Sequence, residues 1–155
     1  MPELALLVGL QASGKTSFYR ARLAGSHLLV SKDLMPNLRD RERRQRELVR
    51  RALVEGRSVA VDNTNATAEG RAALIAIARE LGARAVGYAF DSDLASCLAR
   101  NAAREGRARV PAVALHVTRR RLQWPTAAEG FDALYRVRLL PPSDFAVEEL
   151  SPPPG

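Results

Sequence analysis

Gly9-Leu10-Gln11-Ala12-Ser13-Gly14-Lys15-Thr16 sets two glycines, a lysine and a hydroxyl in the order that a bound phosphate requires. The glycines let the backbone fold back so that several N–H groups point at one anion. A helix starting at Lys15 aims its positive end at the same place. Lys15 supplies a mobile cation for the β- and γ-phosphates, and Thr16 offers a hydroxyl to Mg²⁺. This is the GxxxxGK[ST] pattern of a P-loop. The candidate nucleotide ligands are therefore Gly9, Gln11, Ala12, Ser13, Gly14, Lys15, Thr16 and Ser17, and the implied co-substrate is ATP or another NTP with Mg²⁺. GxGxxG is absent, which excludes a dinucleotide fingerprint here.

A P-loop implies nucleotide binding and leaves the chemistry open. Phosphoryl transfer needs a carboxylate to activate the acceptor, a metal or acceptor carboxylate, and arginines that close over the moving group. Asp33 follows the apolar run His27 to Val30, and Asp62 follows Val59-Ala60-Val61. Parallel strands gather their C-terminal ends, so both aspartates are expected at the P-loop cleft. Asp33 is the candidate general base. Asp62 is the candidate acceptor-positioning or metal-shell residue, followed by Asn63 and Asn65 on the acceptor side. Helix N-caps or Asx turns are the ordinary alternative roles for both aspartates. Arg100, Arg104, Arg107 and Arg109 fall where a lid would lie, with Arg100 and Arg104 on one helical face, and Arg100 joins the candidate nucleotide ligands.

These residues need a scaffold. Leu4 to Val8 is a continuous apolar run ending at Gly9, as in a buried parallel strand. Further strands are predicted over 27–30, 58–61, 83–90 and 134–140, and helices over 15–24, 40–55, 68–81, 92–105 and 111–122. Alternation of this length predicts an α/β, three-layer P-loop NTPase fold, with a parallel five-stranded sheet flanked by helices and an Arg-rich lid. One kinase domain is expected over 1–140. The Pro-rich segment 141–155 is expected to be a surface strap fraying into a disordered tail.

Composition bounds the rest. The chain has 155 residues, 46% of them apolar, enough for one real core. No apolar run approaches the length of a membrane span, and the apolar stretch Met1 to Val8 opens on MPEL without a basic n-region, so no secretion signal is expected. Cys97 is the one cysteine, which excludes a disulfide scaffold and favours a reducing, cytoplasmic setting. Its helix face suits a buried thiol. His27 and His116 are too few and too scattered for a metal site. The net charge is +7 and the pI near 10.6, which favours a polyanionic partner. Only Lys15 and Lys32 are lysines among 24 basic residues, so a single arginine is weak testimony. Arg39, Arg43, Arg46 and Arg50 fall on one face of one helix. That stripe suits either a phosphate backbone or a solvated face paired with Glu42, Glu47 and Glu55. Trp124 suits base stacking or, ahead of Pro125, a packing anchor.

GLQASGKTSF, VSKD, VAVDNTN, an Arg-rich lid ending in VP, and PTAAEGF before a final strand occur in one order over roughly residues 4–140. Together they resemble the kinase domain of polynucleotide 5′-hydroxyl kinases. The resemblance implies transfer of an NTP phosphate to the 5′ hydroxyl of DNA or RNA. It implies Lys15 on the β/γ phosphates, Thr16 on Mg²⁺, Asp33 as base, Asp62 toward the acceptor and Arg104 as the lid arginine. It also implies a separate phosphatase or ligase partner, since such modules often share a chain with these kinases. One departure stands out. Phage-type members carry an arginine three residues after the base, where this chain has Pro36; Arg39 is the candidate replacement, with Arg43 beside it. Two other readings fit the P-loop: a kinase for a small or tRNA-linked acceptor, and a nucleotide-dependent binding module without transfer chemistry.

Overall fold

The computed structural model describes residues 1–35 and 39–150. Its centre is β1 (Glu3–Val8), whose residues Leu4 to Val8 are completely buried. The strand has no polar face because helices cover it on both sides. Leu4, Leu6 and Val8 point to α2 (Arg41–Val54) and α3 (Ala68–Glu80), where Val49, Leu53, Leu74 and Ile77 meet them. Ala5 and Leu7 point the other way, to α1 (Lys15–Phe18) and the π-helical stretch Tyr19–Leu23 that continues it. Period-two alternation thus serves two cores from one apolar run.

The sheet has six strands in the order β2-β3-β1-β4-β5-β6. β2 (His27–Val30), β3 (Ser58–Asp62), β4 (Arg84–Phe90) and β5 (Ala133–Leu140) run parallel to β1, in the P-loop kinase-like α/β arrangement. The parallel five-stranded sheet expected from sequence is therefore extended by one antiparallel strand. β6 (Asp144–Glu149) pairs with β5 and sets Phe145 opposite Leu139. Its short apolar alternation, Phe145 and Val147, is flanked by prolines, so the segment reads as a strap. Phe145 docks all the same. Its ring lies 5.3 Å from Phe18, which also meets Tyr88 at 5.1 Å and Phe90 at 5.4 Å. The expected frayed tail, 151–155, lies outside the described residues.

α4 (Leu94–Ala102) and α5 (Ala112–Arg121) complete the fold. Asp93 caps α4 by accepting from Ser96 N at 2.7 Å, and Pro111 precedes the first turn of α5. Leu115 and Cys97 are fully buried against Leu10, so this helical pair packs directly on the P-loop. Among the described residues, no helix is long and apolar enough to cross a membrane.

Phe18 joins α1, β4 and β6 and is 2% exposed. Phe18→Ala should lower unfolding stability by about 3–5 kcal/mol in urea titration. A loss below about 1 kcal/mol would show that the aromatic cluster does not hold the sheet edge.

Candidate active site

The P-loop leaves β1 at Gly9, whose N–H donates to Thr64 O at 3.0 Å and so ties the loop to the end of β3. Gly14 has φ +100°, and a Cβ there would lie 2.6 Å from Leu139 Cδ2. Only glycine meets both demands. Ala12 is also left-handed, with φ 61°, and its carbonyl accepts from Arg100 Nε at 2.6 Å. Arg100 thus braces the loop from α4. From α5, Thr118 Oγ1 accepts from Gln11 Nε2 at 3.0 Å.

Lys15 lies inside this ring. Its ammonium donates to Gly9 O at 2.9 Å and Leu10 O at 2.6 Å, and the residue is 7% exposed. Burial lowers its pKa to about 8, against the opposing pull of Asp62. Asp33, Cys97 and Arg104 also act on its charge, which places them within electrostatic reach of the loop. Thr16 Oγ1 donates to Asp62 Oδ2 at 2.8 Å. Among the described residues, two buried polar atoms of the loop, Ser13 Oγ and Gln11 Oε1, have no partner. A desolvated cation, a ring of backbone and a paired hydroxyl and carboxylate suit a phosphate with a hard divalent cation.

A family model described as an AAA domain matches residues 4–125, most of the chain. The chain belongs to this AAA domain family. Its fold is similar to that of a gluconokinase from Sinorhizobium meliloti 1021, at 19% identity over 91% of this chain and 85% of that one, with TM-score 0.64. It is similar to a fungal RNA kinase, at 13% identity over 89% of this chain and 38% of that one, with TM-score 0.68. It is similar to Chaetomium thermophilum Kti12 in complex with ADP-AlF3, at 16% identity over 87% and 88%, with TM-score 0.65. At these identities the likeness is one of fold, and the fold is P-loop kinase-like.

In this AAA domain Asp33 is exposed in the 3-10 turn Lys32–Leu34 just after β2, capped by Ser31 Oγ at 3.3 Å. The turn is pinned to β3. Lys32 N donates to Asn63 Oδ1 at 3.0 Å, and Asn63 Nδ2 donates to Gln45 of α2. Asn65 Nδ2 bridges Leu7 O at 2.7 Å and Val61 O at 3.2 Å, joining the ends of β1 and β3. Asn63 and Asn65, read from sequence as acceptor-side residues, thus have their amides committed to holding strand ends in place. Pro36, the departure from the phage-type pattern, lies outside the described residues.

Arg104, expected from sequence as the lid arginine, donates to Ala108 O at 3.4 Å. Arg39 and Arg43 are exposed beside the Asp33 turn. Arg43 pairs with Asp40 at 3.6 Å and Glu47 at 3.8 Å, and Arg50 with Glu80 at 2.9 Å. Glu42, expected to pair within the helix, instead meets Lys32. Arg43, Arg46 and Arg50 line a groove of about 370 Å³ between α2 and α3, together with Glu47 and Glu80. Arg43 and Arg50 of the stripe are thus engaged with carboxylates, as on a solvated face.

Sequence reasoning missed Arg71. Its side chain is completely buried, yet it is charged. Glu129 binds it through both oxygens, at 2.8 and 3.1 Å, and Asn65 O accepts from it at 2.8 Å. Glu129 also accepts from Thr126 N at 2.8 Å. The acidic residue of PTAAEGF is therefore a structural clamp on the DNTN loop. The signal was present: Arg71, Leu74, Ile75 and Ala78 form one apolar helix face, and a charge on such a face demands a partner.

Removing one member of this pair strands a buried charge. Glu129→Ala should cost about 3–5 kcal/mol of stability, read as a lowered denaturant midpoint. A midpoint equal to wild type would refute the clamp.

Proposed function

We propose that this AAA domain is a kinase that transfers the γ-phosphate of ATP, or of another NTP, to the 5′ hydroxyl of a DNA or RNA strand. The observation that carries the reading is the gathering of Lys15, the Thr16–Asp62 pair and Asp33 at the C-terminal edge of one sheet. Asp33 takes the proton of the acceptor hydroxyl, and that oxygen attacks the γ-phosphorus. The bond to the bridging oxygen breaks, and its electron pair leaves on the β-phosphate of ADP. Lys15 and the loop N–H groups hold the charge that builds on the phosphates. When bound, Mg²⁺ neutralises β- and γ-phosphate oxygens. Thr16 and Asp62 are the residues that would hold it, which draws Asp62 toward the metal shell. Arg104 is the lid residue for the transferring group.

The polynucleotide acceptor is supported by the SKD, DNTN and PTAAEGF segments and by the strongly basic balance of the chain. The same chemistry on a small acceptor is the rival, since sugar kinases share the fold. A separate phosphatase or ligase working on the same ends fits the reading. With γ-labelled ATP and 5′-hydroxyl DNA and RNA oligonucleotides, label should appear on the strand. Asp33→Ala should abolish the label and retain ATP binding. Turnover retained in Asp33→Ala would remove Asp33 as base. No label on any strand, with intact ATP binding, would refute the polynucleotide acceptor.

A pH profile tests Lys15 separately. Its ammonium is protonated below about pH 8 and loses charge as pH rises through that value. ATP affinity, measured by calorimetry, should therefore weaken above about pH 8, by up to tenfold per pH unit. In Lys15→Ala that inflection should vanish.

A further inference from the structure

Some arginines outside residues 104–124, namely Arg20, Arg46, Arg51, Arg57 and Arg138, are exposed with no partner among the described residues, and others are paired. Outside the lid, Arg22, Arg43, Arg44, Arg50, Arg71, Arg79, Arg84 and Arg136 each have a carboxylate within 4 Å. Residues 104–124 hold six arginines and one carboxylate, Glu105. Most of the chain's net charge of +7 therefore sits in this one segment. Arg107, Arg109, Arg119, Arg120 and Arg121 are all exposed, and among the described residues none has a hydrogen-bond or ion-pair partner.

The segment is also placed. α5 crosses the P-loop, held by the Gln11–Thr118 bond and by Leu115 against Leu10. Its C-terminal end meets the DNTN loop: Gln123 N donates to Ala66 O at 2.7 Å, and Gln123 Oε1 accepts from Ala68 N at 2.7 Å. Trp124 comes next. Pro125 is buried, whereas Trp124, at 41% exposed, is not the packing anchor, and its indole N–H has no partner among the described residues. The last turn of α5, with three exposed arginines about 100° apart around the helix, and the exposed indole thus lie along the stretch that is tied to Ala66 and Ala68, just past the DNTN loop. A phosphate backbone meets unpaired cations, and a base meets a flat exposed ring. On the α2 stripe, by contrast, Arg43 and Arg50 are engaged by Asp40, Glu47 and Glu80, and no exposed aromatic ring accompanies them among the described residues.

We propose that Arg119, Arg120, Arg121 and Trp124 form the docking surface for the single strand that trails from the accepting 5′ hydroxyl. Phosphates lie on the arginines and a base stacks on Trp124. The inference rests on the polynucleotide reading of the active site and names the surface that selects a strand over a small acceptor.

Trp124 is the only tryptophan, so its emission reports the surface directly. Titration with 5′-hydroxyl single-stranded DNA and RNA should change that emission saturably, and the two arms rank the strands. The triple variant Arg119→Ala/Arg120→Ala/Arg121→Ala should weaken strand binding and flatten the slope of log affinity against log salt by about two. Its KM for an oligonucleotide should rise about tenfold with kcat little changed. The rise should be absent for a nucleoside 3′-phosphate, which offers the same hydroxyl without a strand. Trp124→Leu should raise the oligonucleotide KM about tenfold as well. Unchanged emission on adding strand, an unaltered salt slope, or equal KM rises for both acceptors would each overturn the surface. Binding seen by emission without transfer to any acceptor would instead overturn the kinase reading and leave the surface standing.

Discussion

The arrangement of this domain depends on one buried charge. Arg71 is 1% exposed, and a guanidinium in that position is tolerated only when its donors are met. Glu129 and the carbonyl of Asn65 meet them, which forces α3, the turn 126–130 and the DNTN loop into one mutual position. Asn65 can then bridge β1 and β3, and Thr64 can receive the N–H of Gly9 where the P-loop begins. The phosphate loop is thus registered against β3 by an ion pair between α3 and the turn 126–130. Replacing the pair by apolar residues would preserve volume and lose the bond to Asn65, so the charge serves geometry more than stability.

The same economy explains Lys15. A buried ammonium is costly, and this one is kept by two carbonyls and the field of Asp62, with its pKa brought down to about 8. The cation is held, partly desolvated, beside two orphaned polar atoms, Ser13 Oγ and Gln11 Oε1. An anion entering the ring meets donors already in place, which is how a preorganised site stabilises charge without rearranging at the moment of reaction. Arg100 and Thr118 brace that ring from α4 and α5, so these helices shape the loop they pack on.

Charge in the rest of the molecule divides by task. Paired arginines fasten elements: Arg79 to Asp132, Arg84 to Glu3, Arg136 to Asp91. Among the described residues, exposed arginines without a partner occur at Arg20, Arg46, Arg51, Arg57 and Arg138, at Arg107 and Arg109, and in one run at Arg119, Arg120 and Arg121. An arginine-rich composition hides this division, because paired and unpaired residues look alike in a linear string.

Local rules reached far in this chain. GLQASGKT names its own geometry, because only glycine at position 14 and a helix after it can form the ring. The fully apolar run Leu4 to Val8 specifies a strand covered on both faces, and Asp33 and Asp62 at strand ends follow from parallel topology. Sixth-strand pairing was not legible, since Phe145 and Val147 stand among prolines and dock only where Phe18 and β5 await them. Nor were the partners of Asn63, Asn65 and Glu129. The sequence by itself determined the elements, the phosphate loop and the side of the sheet where chemistry gathers, all of which rest on near-neighbour periodicity and turn chemistry. Tertiary structure alone decided which charges are paired, which polar groups are structural and which arginines face outward. Those outcomes depend on contacts between residues tens of positions apart, such as Arg71 with Glu129, and no local pattern encodes that distance.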